Sequence, residues 1–140
     1  MKRKIATINK NIIKRDEKMK ILLLRPNHTV HGTRAEEQED EFKYRRTGES
    51  LALGYLAAVL SKENEVEVID GVLENRSNDD IVEYVDAKKF DLIGFSTNVY
   101  IELENNLKII KKCKDLSDTF IVMGGHVASF VDRFLIMESE

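Results

Sequence analysis

Between Asp91 and Gly125 the chain reads DLIGFSTNVY, a helical run ending in KKCKD, and then TFIVMGGHVAS. Two short apolar runs, Leu92 to Phe95 and Phe120 to Met123, flank a single helix length. That spacing fits parallel neighbours, which need a crossover helix between them. The first run ends in three small polar residues, Ser96, Thr97 and Asn98, and the second in the pair Gly124-Gly125. In a parallel α/β sheet both ends open on the same edge, where ligands bind. Hydroxyls and an amide then sit beside a point that has no side chains, so a large ligand could be hydrogen-bonded and met closely by backbone.

The same alternation continues on either side. Lys20 to Leu24 (KILLL) has the character of a buried strand, and Glu65 to Ile69 (EVEVI) of a strand with one more polar face. Leu51 to Leu60 is apolar on every side, which predicts a helix packed deeply against a sheet. Ser77, with Asp80 three residues on, resembles a capping box for a helix through Lys88 that buries Ile81 and Val85. Val99, Leu103, Leu107 and Ile110 mark the inner face of the next helix, with Cys113 half-buried near its end. Val127, Val131, Phe134 and Leu135 mark a final one. The order β-α-β-α-β-α-β-α, with right-handed crossovers, predicts an α/β fold: a parallel sheet with helices on both faces.

Composition narrows the function. The 140 residues suffice for one core, and a net charge of −3 implies no general affinity for nucleic acid. No apolar run is long enough to span a bilayer. A single cysteine excludes an intrachain disulfide and fits the reducing cytoplasm. Charge divides unevenly, with +5 on residues 1–18 and −8 on the remainder. Residues 1–18 therefore form a basic N-terminal extension, and the compact domain is expected over residues 19–140. Residues 25–48 form a long polar connection holding Pro26, His28, His31, an acidic run from Glu36 to Glu41, and Lys43, Arg45 and Arg46.

Each candidate has a plainer role beside its functional one. Ser96, Thr97 and Asn98 could bond a ligand or cap the following helix. Gly124 and Gly125 could admit a ligand or form a tight turn with positive φ. His126 could reach a ligand edge or simply open a helix. His28 and His31 could ligate a metal, but solvated loop histidines are the commoner case. Asp70 ends the second strand, where dinucleotide folds place a ribose-binding acid, yet no Gly-x-Gly-x-x-Gly follows the first strand. No constellation of acid, base and nucleophile is present, so the chain alone is not expected to catalyse a reaction.

MKILLLRPN at 19–27, SLALGYLAAVLSKENEVEVID at 50–70, FDLIGFSTN at 90–98 and IVMGGHVAS at 121–129 resemble, in order and spacing, the cobalamin-binding domain at the N-terminus of many radical S-adenosylmethionine (SAM) enzymes. The resemblance implies a flavodoxin-like (Rossmann-like) sheet of order 2-1-3-4-5. It also implies base-off cobalamin over the C-terminal edge, its nucleotide tail met by Ser96, Thr97, Asn98, Gly124 and Gly125 and its corrin edge by His126, and a methyltransferase-type enzyme. A fifth strand would begin after residue 140, leaving the order 2-1-3-4 and an apolar edge at residues 120–123. That edge is expected to meet a second copy of the chain or a downstream radical SAM domain. Cys113 alone cannot hold a 4Fe-4S cluster, so cluster and SAM would sit on a missing segment or on a partner. The alternatives are a flavodoxin-like flavin or nucleotide binder, or a degenerate interaction domain that has lost its ligand.

Relatives that ligate cobalt through histidine carry Asp-x-His-x-x-Gly after the first strand. Here His28 precedes Gly32 by four positions, and Pro26 stands where the Asp would be. Replacing His28 and His31 together by Ala is therefore expected to leave corrinoid affinity within about tenfold, or about 1.4 kcal/mol. Spectrophotometric titration would check it, and a larger loss with a change in the cobalt ligand spectrum would show histidine ligation.

Overall fold

The computed structural model describes residues 18–27, 50–98 and 100–131. Among them run β1 (Lys20–Arg25), α1 (Leu51–Leu60), β2 (Glu65–Asp70), α2 (Asn78–Lys88), β3 (Leu92–Ser96), α3 (Tyr100–Leu116), β4 (Phe120–Gly124) and α4 (His126–Phe130). The strands form one parallel sheet in the order β2-β1-β3-β4, as the flavodoxin-like expectation required.

The pleat of β1 sorts its apolar run onto two faces. Leu22 and Leu24 join Ile69, Ile93 and Phe95 under Ile81 and Val85 of α2 and Ile109 and Cys113 of α3. Ile21 and Leu23 face the other way, toward Leu53 of α1. The first layer is the main core. Leu22, Leu24, Ile81, Val85 and Ile93 are wholly buried there. Each such side chain contributes about 1.5–3 kcal/mol on leaving water.

Local signals fix the helix ends. Ser77 Oγ accepts from the Asp80 amide at 3.1 Å, the expected cap, and Asp79 and Asp80 complement the positive end of α2. Lys89 stops α2 in a left-handed conformation (φ 52°). At the same end of the sheet, where the strands begin, the Lys20 amide donates to Asp91 Oδ2 at 2.7 Å and the Thr119 hydroxyl to the Phe90 carbonyl at 2.9 Å.

Three expectations need correction or limits. The first is α1, which is not deeply packed. Leu53 is buried, with Ala57 and Leu60 partly so on the same stripe, whereas Leu51, Tyr55, Leu56 and Val59 are exposed. A helix lying on one face of a sheet buries one stripe, whatever the composition of the others. The second is the inner face of α3, which holds Glu102, Leu103, Asn106, Ile109 and Cys113, with Leu107 and Ile110 only partly buried. Residue 99 lies outside the described residues. The third is the final helix: α4 buries Val127, Val131 is its C-cap, and Phe134 and Leu135 lie outside the described residues. Residues 1–17 and the connection 28–49 also lie outside them. The fourth strand is an edge among the described residues. Ile121 and Met123 pack on the core, while Phe120 and Val122 on the other face are exposed.

Cys113 is a core residue rather than a half-buried one, and burial pushes its thiol up to about 11. At pH 8 it is expected to react with a disulfide reagent about a hundredfold more slowly in the native protein than in urea, since little thiolate is present. Equal rates would contradict the packing of α3 onto β3.

Candidate cofactor-binding edge

The parallel register sets Ser96 of β3 directly beside Gly124 of β4. The chain then continues this pairing past the strands. The Thr97 amide donates to the Gly124 carbonyl at 2.8 Å, and the Val127 amide donates to the Thr97 carbonyl at 3.2 Å. Gly125 takes φ +105°, and a Cβ there would lie 2.4 Å from the Thr97 carbonyl oxygen and 2.9 Å from Asn98 Oδ1. Only glycine satisfies both the conformation and the approach. The space beside Gly125 is therefore filled by the neighbouring loop and is not open to a ligand. Gly124 differs, because a Cβ there would meet nothing within 4 Å.

Helix α3 holds the loop from below. Glu102 Oε2 accepts from the Asn98 amide at 2.8 Å, the cap that the small polar run was expected to supply itself. Asn106 Nδ2 donates to Thr97 Oγ1 at 2.8 Å and to the Ser96 carbonyl at 3.2 Å. Asn98 Nδ2 donates to Ser96 Oγ at 3.0 Å. Thr97 is wholly buried and Ser96 nearly so, whereas Asn98, Gly124, Gly125 and His126 are exposed. The six residues singled out from sequence thus lie on one edge, with different accessibility. Thr97 turns its hydroxyl inward to Asn106, and His126 is the exposed first residue of α4.

The neighbouring half of the edge is closed by polar pairs. Arg25 Nη1 lies 3.2 Å from Asp70 Oδ2, both side chains being largely buried. Asp70 Oδ1 also accepts from the Val72 and Leu73 amides at 3.2 Å, so it caps its own turn and is not presented as a ribose acceptor. Gly71 packs where a Cβ would lie 2.9 Å from the Asn27 nitrogen. The Asn27 carbonyl accepts from Asn78 Nδ2 at 2.9 Å and from Asn105 Nδ2 at 3.1 Å, which ties the end of β1 to α2 and α3.

Sequence reasoning missed Glu102, Asn106, Gly71 and this asparagine trio. Asn106 carried a signal, since it falls between Leu103 and Ile109 on a mainly apolar stripe. A polar residue there must bond something beneath the sheet edge. The trio carried none, because its members are 51 and 78 residues apart in pairs. His28, His31 and the Glu36–Glu41 run lie outside the described residues. Among the described residues, no group of three or more His, Cys, Asp or Glu side chains could hold a metal ion. No helix there is long and apolar enough to cross a membrane.

Residues 42–139 are matched by the family model of the B12 binding domain, and the chain belongs to that family. Over 96 residues the chain is also 32% identical to an uncharacterized methyltransferase of Pyrococcus horikoshii, covering 66% of this chain. It spans only 20% of that relative's length. No solved structure matches the chain. The chemistry of the edge fits the family's ligand. Cobalamin is a broad macrocycle fringed with carboxamides, and the exposed groups here are a bare glycine backbone and the neutral amide of Asn98. The cobalt comes enclosed in its own ring, so no protein metal cluster is required.

The two glycines should separate fold from binding. Gly125→Ala is expected to destabilise the domain by about 2–5 kcal/mol, through strain at positive φ plus the clash with Thr97. Gly124→Ala should change stability by less than about 1 kcal/mol. Chemical denaturation of both variants would check this, and equal effects would contradict the geometry of the turn.

Proposed function

We propose that this B12-binding domain holds cobalamin base-off along the ends of β3 and β4, as part of a methyltransferase-type radical SAM enzyme. The observation that carries the proposal is Gly124. It offers uncovered backbone to open space, next to the exposed Asn98 amide and His126. In this reading Gly124 allows close approach, Asn98 and His126 bond the ligand's amides and nucleotide tail, and Ser96 supports Asn98. Thr97 and Gly125 contribute shape, because one is buried and the other is packed against it. When bound, the cofactor would supply a cobalt centre able to carry a methyl group. The protein's own residues bind and orient it, and no acid, base or nucleophile for catalysis is assigned to them. The methyltransferase name of the Pyrococcus horikoshii relative supports the reaction class. The iron–sulfur cluster and SAM would belong to a further segment or a partner, joined at the open edge of β4.

Purified protein mixed with hydroxocobalamin is expected to keep a red chromophore through desalting, with a base-off spectrum, and to release flavin. Gly124→Val should weaken retention at least tenfold while the fold is kept, because a branched side chain would occupy the approach. Retention of flavin with no retention of corrinoid would replace this reading with a flavodoxin-like one.

A further inference from the structure

We infer that Asn106 of α3 is the positioning residue of the cofactor edge: its amide clamps the Ser96–Asn98 loop against the Gly124–Gly125 turn and so sets the surface that meets the ligand. The inference rests on the cobalamin reading for its ligand and on geometry for its mechanism. Asn106 is 1% exposed and touches the loop through one nitrogen, which donates to both the Ser96 carbonyl and Thr97 Oγ1. The orientation of the amide is forced, because a carbonyl can only accept and the nitrogen must face it. Its oxygen is buried and has no hydrogen-bond partner among the described residues. An unpartnered buried acceptor is unfavourable, and an apolar side chain of similar size would avoid it. The position therefore holds a group that is poor for the core and good for the loop.

The clamp reaches the ligand side through a short chain of contacts. Thr97, gripped at its hydroxyl, donates its amide to Gly124 and accepts at its carbonyl from Val127. That carbonyl is also the group that leaves no room for a side chain at Gly125. Glu102, one turn earlier on α3, fixes the Asn98 amide. Releasing Thr97 would let Gly124 and Asn98 move independently, although neither touches Asn106 directly.

The test compares wild type with Asn106→Leu, Asn106→Asp and the core control Val85→Ala. Val85 lies on α2, wholly buried and outside the edge. Asn106→Leu removes both donor bonds together with the unpartnered oxygen. The Thr97 hydroxyl and the Ser96 carbonyl lose that donor, so the melting temperature is expected to fall, but no further than in Val85→Ala. Hydrogen exchange should speed more at the Thr97 and Val127 amides than at Ile93, and hydroxocobalamin binding should weaken by about tenfold or more. Val85→Ala should lower the melting temperature at least as far and leave affinity unchanged. In Asn106→Asp the carboxylate cannot donate, and burial raises its pKa. Its affinity relative to wild type should recover as pH falls from about 8 to about 5 and the protonated group donates again. Glu102 and His126 are present in both proteins, and affinity is read at each pH as the ratio of variant to wild type. Binding by Asn106→Leu within about threefold of wild type would overturn the inference. If wild type itself retains no corrinoid, the cobalamin reading falls, and unchanged exchange at Thr97 and Val127 would then overturn the clamp as well.

Discussion

The Thr97 carbonyl and the Cα of Gly125 come so close that no side chain fits between them, and the edge formed by the ends of β3 and β4 is organised around that approach. The approach needs two things at once. Strands β3 and β4 must be in register, with Ser96 beside Gly124, and the chain must leave β4 at positive φ. Given both, the Thr97 amide and carbonyl find their partners in Gly124 and Val127, and α4 starts in a fixed direction. The loop after β3 and the turn after β4 then behave as one body.

The layers beneath explain why this body can be held rigidly. The face carrying α2 and α3 is the well-packed one, with Leu22, Leu24, Ile93 and Phe95 wedged under Ile81, Val85, Ile109 and Cys113. Helix α3 thereby becomes a fixed platform, and its first two turns bring Glu102 and Asn106 up to the loop. Buried polar groups of this kind specify geometry more than they add stability. The remainder of the edge is locked in the same manner by Arg25 with Asp70 and by the three asparagines.

Much of this was legible in the sequence, and the failures have physical causes. The four strands and their parallel order followed from short apolar runs alternating with helix-length segments, a signal that depends only on burial on both faces of a sheet. The six edge residues were legible because small polar residues and glycines at strand ends have few other uses. The burial of α1 was misjudged, since composition reports how apolar a helix is but not how many layers cover it. The role of Gly125 was half legible. Its positive φ was expected, but which neighbour would fill the space beside it depends on the Thr97 backbone, and no residue type encodes that. The asparagine trio depends on a meeting of β1, α2 and α3 that only the assembled fold provides.

The two outer strands of the described sheet differ in how they end it. β2 carries Glu65 and Glu67, charges that discourage another strand from adding there, while β4 runs Phe120, Ile121, Val122, Met123 and Gly124 without a charge. A sheet with two open edges could stack strand on strand without limit. A sheet with one guarded side has a polarity. Among the described strands, β4 is then the side that favours the addition of another strand, whether from the same polypeptide or another, and a pair of such domains meeting there would present two guarded flanks.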